Sequence, residues 1–328
     1  MMTLLTTVHD LSFVADGGGQ QLRGSIGIFH GLSQCQDTFI EMAIQFALNG
    51  FIVHLIDFEG FGFSGGKRVA GLKVQAMHTQ VTSLLMHVDP DLPLFLFAHS
   101  MGGLVLTAYL DSNPDIAKRV SGVIFSAPFL GFPEHLGFNV VRKYVTKFLA
   151  LHLEEFALSL GLSVHLNTRN KAYMRVALTG MKAIPFISLG LLASFIPALE
   201  QVQSGANRVT YPYQMLLGEK DIIVSNKSAK EWHSKTSSKV KGMRLMAGAY
   251  HELSKEPNNN VLFETALKFM GDRLANTAQA PAHPFGAFNP ESIRYYKPRP
   301  LIKKRKFWAF LLMGLAYLLI GLILAISR

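Results

Sequence analysis

One stretch constrains this chain more than any other. The apolar run Leu94-Phe95-Leu96-Phe97 passes without a polar break into Ala98-His99-Ser100-Met101-Gly102-Gly103, and a helix-forming segment follows. Apolar residues without polar alternation suit a strand covered on both faces. The small residues after it leave room for a tight strand-to-helix turn. Such a unit needs parallel neighbours and helices on both sides, and the rest of the chain supplies them. Apolar runs at 25–29, 51–56, 94–97, 120–125, 213–217 and 242–246 predict strands. Segments 38–49, 74–87, 101–112, 225–234 and 261–274 predict helices between or after them. The fold class is therefore α/β, with a mostly parallel central sheet. From about 129 to 207 the alternation lapses into a helical, apolar-rich stretch that reads as a cap inserted over the end of the sheet.

Composition agrees with one large core. Of 328 residues, 49% are hydrophobic and only 16% charged, which excludes a disordered chain and a disulfide scaffold. The single cysteine, Cys35, cannot form an internal disulfide or a cysteine-based zinc site, and a reducing compartment is expected. Twelve histidines occur, but not at a metal-binding spacing, so neither a metal nor an organic cofactor is expected. The net charge of +10 raises the question of nucleic acid. Residues 291–328 alone carry +7, leaving +3 for the other 290. The basicity belongs to the end of the chain beside an apolar run, which points to a membrane surface and away from nucleic acid.

That apolar run, residues 307–326, is twenty residues without a charge, twelve of them Leu, Ile or Phe. As a helix it would span roughly 30 Å, the hydrocarbon thickness of a bilayer. Lys303-Lys304-Arg305-Lys306 precedes it and only Ser327-Arg328 follows, so the N-terminal side should face the cytosol. The expectation is a single-pass tail anchor in the endoplasmic reticulum or mitochondrial outer membrane, with other membrane partners unspecified. Residues 1–13 lack the basic and apolar regions of a secretory signal. The chain divides into a first core part at 1–128, the cap at 129–207 and a second core part at 208–275. A Pro-rich and basic linker at 276–306 leads to the membrane helix at 307–326. Within the cap, residues 183–199 are uncharged. They read as cap packing, as an apolar lip touching the bilayer, or as both together.

Ser100 at the strand-to-helix turn is the candidate nucleophile; its bland alternative is a helix cap. A serine hydroxyl needs a base to take its proton, and the base needs an orienting carboxylate. Met215-Leu216-Leu217-Gly218-Glu219-Lys220-Asp221 runs from a strand into an acid-bearing loop, and Leu245-Met246-Ala247-Gly248-Ala249-Tyr250-His251 does the same with a histidine. Asp221 stands 121 residues after Ser100, and His251 another 30 on, which leaves room for the insertion and then for one helix and one strand. Glu219 is the runner-up acid. An oxyanion needs backbone N–H donors, for which Met101 and Leu32 are the candidates, Leu32 following His30-Gly31 at the end of an early strand. His30 and Gly31 are candidate substrate-binding residues, with a packed loop histidine as the alternative for His30.

These motifs resemble the α/β-hydrolase superfamily, and within it the monoacylglycerol lipase-like serine hydrolases, over roughly residues 25–272. Ala98 replaces the usual first glycine of the serine motif. Asp57-Phe58-Glu59-Gly60-Phe61-Gly62-Phe63-Ser64-Gly65 is similar to that group's D-x-x-G-x-G-x-S-x-G loop. Gly248-Ala249-Tyr250-His251 matches its histidine loop, and Thr168-Arg169-Asn170-Lys171 its cap segment. The resemblance implies hydrolysis of long-chain acyl esters beneath a mobile apolar cap. The group's loop after His-Gly commonly carries a Glu and an Arg, where this chain has Gln34 and Thr38. Preference for a glycerol head group is therefore not expected. A catalytically silent scaffold and an acyltransferase using the same triad remain alternatives.

Overall fold

The computed structural model describes residues 10–13, 22–68, 72–137, 140–159, 166–174 and 186–275. Its strands are β1 (Asp10–Phe13), β2 (Gly24–Phe29), β3 (Phe51–Ile56), β4 (Leu94–His99), β5 (Val120–Ser126), β6 (Ala157–Ser159), β7 (Phe186–Ser188), β8 (Tyr213–Gly218) and β9 (Lys241–Met246). Seven form one sheet in the order β1-β3-β2-β4-β5-β8-β9, while β6 and β7 pair separately. Every neighbour in the main sheet is parallel except β1, which runs antiparallel to β3. Parallel neighbours need crossovers. These use α1 (Ile40–Leu48), α2 (Val74–Met86), α3 (Met101–Ser112), α4 (Pro114–Arg119), α5 (Val140–Leu153), α6 (Leu189–Ser204) and α7 (Asn226–Lys235), and α8 (Asn260–Leu274) follows β9.

All six predicted strands lie in the main sheet, and each predicted helix overlaps one observed. Strands β2 and β4 are buried at every residue, as an unbroken apolar run requires. Helix α3 is buried from Met101 to Leu110. A helix apolar all round can only sit inside. Phe97 meets Phe39 at 6.1 Å and Phe46 at 6.5 Å between ring centres. Phe125 meets the fully buried Trp232 at 5.8 Å, and the Trp232 indole donates to Val202 O at 3.1 Å. Outside the cap, two elements have no sequence counterpart. Strand β1 is four residues long with two of them polar, and α4 is a single Pro-initiated turn or two squeezed between α3 and β5.

The cap differs from the all-helical expectation. Its described part contains α5 and α6, but also the antiparallel β6–β7 ribbon, in which Leu158 faces Ile187 in register. The described part of the uncharged run, 186–199, enters α6 and packs inward. Leu191, Phe195, Ala198 and Leu199 are buried, Phe195 against Phe129 at 5.1 Å. Ser194 Oγ accepts from Val74 N at 3.2 Å. Core packing is the structural role of these buried residues, while Phe186 at the start of β7 stays exposed. The predicted linker and membrane helix lie outside the described residues. Among those described, no helix is long and apolar enough to cross a membrane.

The β4–α3 turn tests how tightly the layers fit. A Cβ on Gly102 would lie 2.5 Å from Phe29 O and 2.8 Å from His30 O, against the backbone at the end of β2. Overpacking of this kind costs about 1–3 kcal/mol. Gly102→Ala should lose that much stability in urea unfolding. Gly271→Ala in α8 is the control: its Cβ would meet only the tip of Arg23, at 3.7 Å. It should gain up to about 1 kcal/mol from helix propensity. Equal effects at both positions would contradict the packing argument.

Candidate active site

The C-terminal ends of the parallel strands converge on one group of loops. Ser100 follows β4 with φ 51° and ψ −119°, a backbone conformation that non-glycine residues rarely adopt. Three hydrogen bonds hold it there: Ser100 N donates to Ser126 O at 3.1 Å, and Ser100 O accepts from Gly103 N and Phe129 N, both at 2.9 Å. Ala98, where the motif usually has glycine, is fully buried, opposite Phe29 and Phe125 in the ladder. Its methyl group fits there as ordinary core.

The loops after β8 and β9 carry Asp221 and His251. They are tied together by Lys220 N donating to Ala249 O at 2.8 Å and Glu219 N to Met246 O at 3.1 Å. Asp221 Oδ1 accepts from Ile223 N at 2.8 Å and Val224 N at 3.2 Å. Its Oδ2 accepts from His251 Nδ1 at 2.8 Å. A carboxylate can only accept at that contact, so the proton of neutral His251 sits on Nδ1 and Nε2 carries a lone pair. Ser100 Oγ lies 2.9 Å from that nitrogen and donates to it. Burial pushes the His251 pKa down, but the charge and hydrogen bond of Asp221, with help from Glu252, outweigh it and raise the value. Burial likewise opposes ionisation of Asp221, yet His251 and the two backbone amides hold its carboxyl below the ordinary range. Glu219 is occupied elsewhere, accepting from Gly248 N at 2.8 Å.

The loop after β2 faces the nucleophile. A Cβ on Gly31 would lie 3.0 Å from Ser100 Cβ, so the next amide, Leu32, is carried beside the serine. Met101 N opens α3 directly after it. Neither N–H donates to a protein acceptor among the described residues. His30 is 1% exposed. Its Nδ1 donates to Gly31 O at 2.7 Å and its Nε2 accepts from Phe58 N at 3.0 Å. Accepting at Nε2 requires a neutral ring, and burial, the largest influence, lowers its pKa accordingly. His30 thus braces the loop from behind. The glycine-rich loop has a similar use. Asp57 accepts from Gln36 N and Phe63 N, each at 2.7 Å, and Gly62, at φ 47°, passes so close that a Cβ would fall 2.0 Å from Asp57 Oδ2.

Sequence reasoning missed four further participants: His99, Glu252, Arg169 and Glu256. Glu252 is buried beside His251 and contacts His99 Nε2 at 3.4 Å. Glu256 accepts from Tyr250 N at 3.2 Å and from Arg169 N and Nε at 3.0 and 2.7 Å. Adjacent to a candidate base, an acid reads as loop polarity. Only its burial marks it.

A buried serine on a strained strand-to-helix turn, with a histidine and an aspartate from later strand ends, defines a serine hydrolase of the α/β-hydrolase class. The family described as Serine aminopeptidase, S33 matches residues 20–258, and the chain belongs to it. It is monoacylglycerol lipase-like within that class. Human monoglyceride lipase is 27% identical over 298 residues, covering 83% of this chain and 94% of its own. Caffeoylshikimate esterase of Arabidopsis thaliana is 27% identical over 270 residues, covering 76% and 77%. The crystal structure of Paleococcus ferrophilus monoacylglycerol lipase shares the fold with a TM-score of 0.71 at 24% identity, covering 83% of this chain and 100% of its own.

The His251 environment sets a pH dependence. The neutral imidazole is the form that can accept the Ser100 proton. A raised pKa keeps the protonated, inactive form populated to higher pH. The kcat/KM for a short soluble ester should therefore rise with pH through a midpoint above the ordinary histidine value of 6.5. Asp221→Asn removes the carboxylate that favours the imidazolium, so the midpoint should fall while the plateau drops. An upward shift in that variant would contradict the electrostatic assignment.

Proposed function

We propose that this protein hydrolyses carboxylic esters of single-chain lipids, of monoacylglycerol or lysophospholipid type, through an acyl-enzyme. The observation that carries this reading is the continuous path from Ser100 Oγ through His251 to Asp221, with contacts of 2.9 and 2.8 Å. Ser100 attacks the acyl carbonyl while His251 Nε2 takes its proton. The Leu32 and Met101 amides stabilise the resulting oxyanion. His251 then protonates the departing alkoxide, and the ester bond breaks to leave an acyl-serine. Water, deprotonated by the same imidazole, releases the fatty acid and restores Ser100. Asp221 holds the imidazole tautomer throughout.

The lipid side of the proposal is supported by the cap. On α5, Tyr144, Phe148 and Leu151 are 70%, 63% and 77% exposed, one helical turn apart, with Lys143 and Lys147 along one flank of that stripe. An apolar stripe flanked by cations suits an anionic bilayer surface. Residues 307–326 would anchor the chain in the membrane of the endoplasmic reticulum or the mitochondrial outer membrane, with Lys303–Lys306 at the cytosolic head groups and the hydrolase domain in the cytosol. Substrate would then reach the cap along the bilayer.

Ser100→Ala should abolish hydrolysis by on the order of 10⁶-fold in kcat, and Asp221→Asn should cost around 10⁴-fold. A fluorophosphonate probe should label wild type and not Ser100→Ala. The substrate panel should pair lipid esters with an aminoacyl amide, since the matched family is described as an aminopeptidase. Faster turnover of the amide than of every ester would overturn the ester reading. Deleting residues 302–328 should free the protein from carbonate-washed membranes. Its rate on short soluble esters should persist while its rate on bilayer lipid falls. Retention in the membrane pellet would move the anchor elsewhere in the chain.

A further inference from the structure

The loop that carries the Leu32 amide is closed on itself by Gln34. Gly31 N donates to Gln34 Oε1 at 2.8 Å, and Gln34 N donates back to Gly31 O at 3.3 Å. Leu32 and Ser33 form the apex, Ser33 with φ 64°. The other end of the Gln34 amide, Nε2, donates to Glu252 Oε2. The same Oε2 faces His99 Nε2 at 3.4 Å, and Oε1 accepts from Ser254 Oγ at 3.0 Å. Glu252 N is fixed to Asn167 O at 2.6 Å. Burial works against ionising Glu252. The His99 and His251 imidazoles and the Ser254 hydroxyl outweigh it and hold the carboxyl down to about 2. A charge is therefore kept in a site that is 3% exposed.

The position of this charge is informative. Glu252 directly follows His251, and His99 directly precedes Ser100. His99 is itself fixed, with Nδ1 donating to Ser126 O at 2.9 Å, the same carbonyl that accepts from Ser100 N. The carboxylate of Glu252, next in sequence to the base, thus touches three partners: His99 beside the nucleophile, Gln34 on the loop bearing an oxyanion donor, and Ser254. A buried ion pair built for stability alone has no need of those three partners, and such pairs often contribute little.

We propose that Glu252, acting through Gln34, is a positioning residue that sets the Leu32 amide in register with Ser100 and His251. This rests on the reading of Leu32 N–H as an oxyanion donor. Glu252 touches neither substrate nor the reacting atoms. Its effect is confined to steps in which negative charge develops on the carbonyl oxygen, so it should alter kcat and leave KM nearly unchanged.

The hydrogen-bond directions supply the test. Gln34→Glu sets two carboxylates face to face in a buried site. It should lower kcat on a soluble ester by about 10²-fold, comparable to losing one oxyanion donor. Glu252→Gln keeps an acceptor for Gln34 but loses its charge, and should cost about tenfold. The double variant Gln34→Glu/Glu252→Gln restores one amide and one carboxylate. The new amide nitrogen at position 252 has two protons, one for the carboxylate at position 34 and one for His99, and its oxygen still accepts from Ser254. The link between the two side chains survives with its direction reversed, so kcat should recover at least about tenfold over Gln34→Glu. Fluorophosphonate labelling rates should follow the same order, with thermal melting measured alongside. Gln34→Ala, at a half-buried position, covers the case in which Gln34→Glu does not fold; it should lower kcat with KM held. Wild-type kcat in the folded single variants overturns the proposal, as does a double variant no better than the sum of its parts. A wild-type enzyme that neither labels nor hydrolyses esters would instead overturn the proposed function.

Discussion

The hydrogen bond from Ser100 N to Ser126 O is the constraint around which the site is organised. It joins the ends of β4 and β5 just where the chain must reverse from strand to helix. Holding that reversal forces Ser100 to positive φ, a cost of order 1–3 kcal/mol for a residue with a Cβ. The surroundings over-determine the conformation. Phe129 and Gly103 both donate to Ser100 O, and α3 is locked from Met101 to Leu110 in the core. The reactive hydroxyl is thus presented by backbone bonding and helix burial, before any side chain touches it.

That constraint also explains what can be read from sequence. Five of the six strands are legible as apolar runs buried at nearly every residue, and β9, an edge strand with Met243 and Leu245 exposed, is legible from its place in the strand–helix alternation. Ser100, Asp221 and His251 are legible for a related reason. In a parallel sheet the loops at the carboxyl ends of the strands collect on one side, so chain order alone brings the three near one another. Strand β1 leaves no such trace, because Asp10–Phe13 pairs at the sheet's edge with only four residues. The β6–β7 ribbon escapes for another reason. Three-residue strands whose partners are 27 or more positions apart have no local period to detect, and their pairing is a tertiary outcome. The uncharged run at 183–199 shows the limit of hydropathy. Its described part is apolar on account of α3 and Phe129, and nothing local distinguishes that from a surface meant for lipid.

The roles that sequence does not reveal share one property. They are bonds that join segments distant in sequence. In sequence, Gln34 is a departure that weakens a head-group site, but the structure gives it two bonding partners, Gly31 N and Glu252. Its identity as an amide matters because it must accept from one and donate to the other. His30 has the same character: one ring nitrogen donates to Gly31 O and the other accepts from Phe58 N. Both side chains have a donor end and an acceptor end, and each spans two loops that have no ladder to pair with.

Loops that leave a sheet lose the ladder that would satisfy their N–H groups, yet here they are buried beneath a cap. Buried amides must find acceptors. Carboxylates answer that need well, since two oxygens can serve several donors and bonds to an ionised acceptor are the stronger kind. Asp57 takes Gln36 N and Phe63 N, and Asp221 takes Ile223 N and Val224 N as well as His251. Glu256, with its side chain fully buried, takes Tyr250 N and Arg169 N together with the Arg169 guanidinium. The last arrangement crosses between cap and core. Residues on both sides of His251 are joined to the cap segment, Tyr250 through Glu256 and Glu252 directly at Asn167 O. The imidazole is therefore held from two directions: Asp221 fixes its ring from the core, and the cap fixes the backbone that carries it. Asn167 and Arg169 of the cap therefore belong to the support of the base as much as the core loop that carries Asp221.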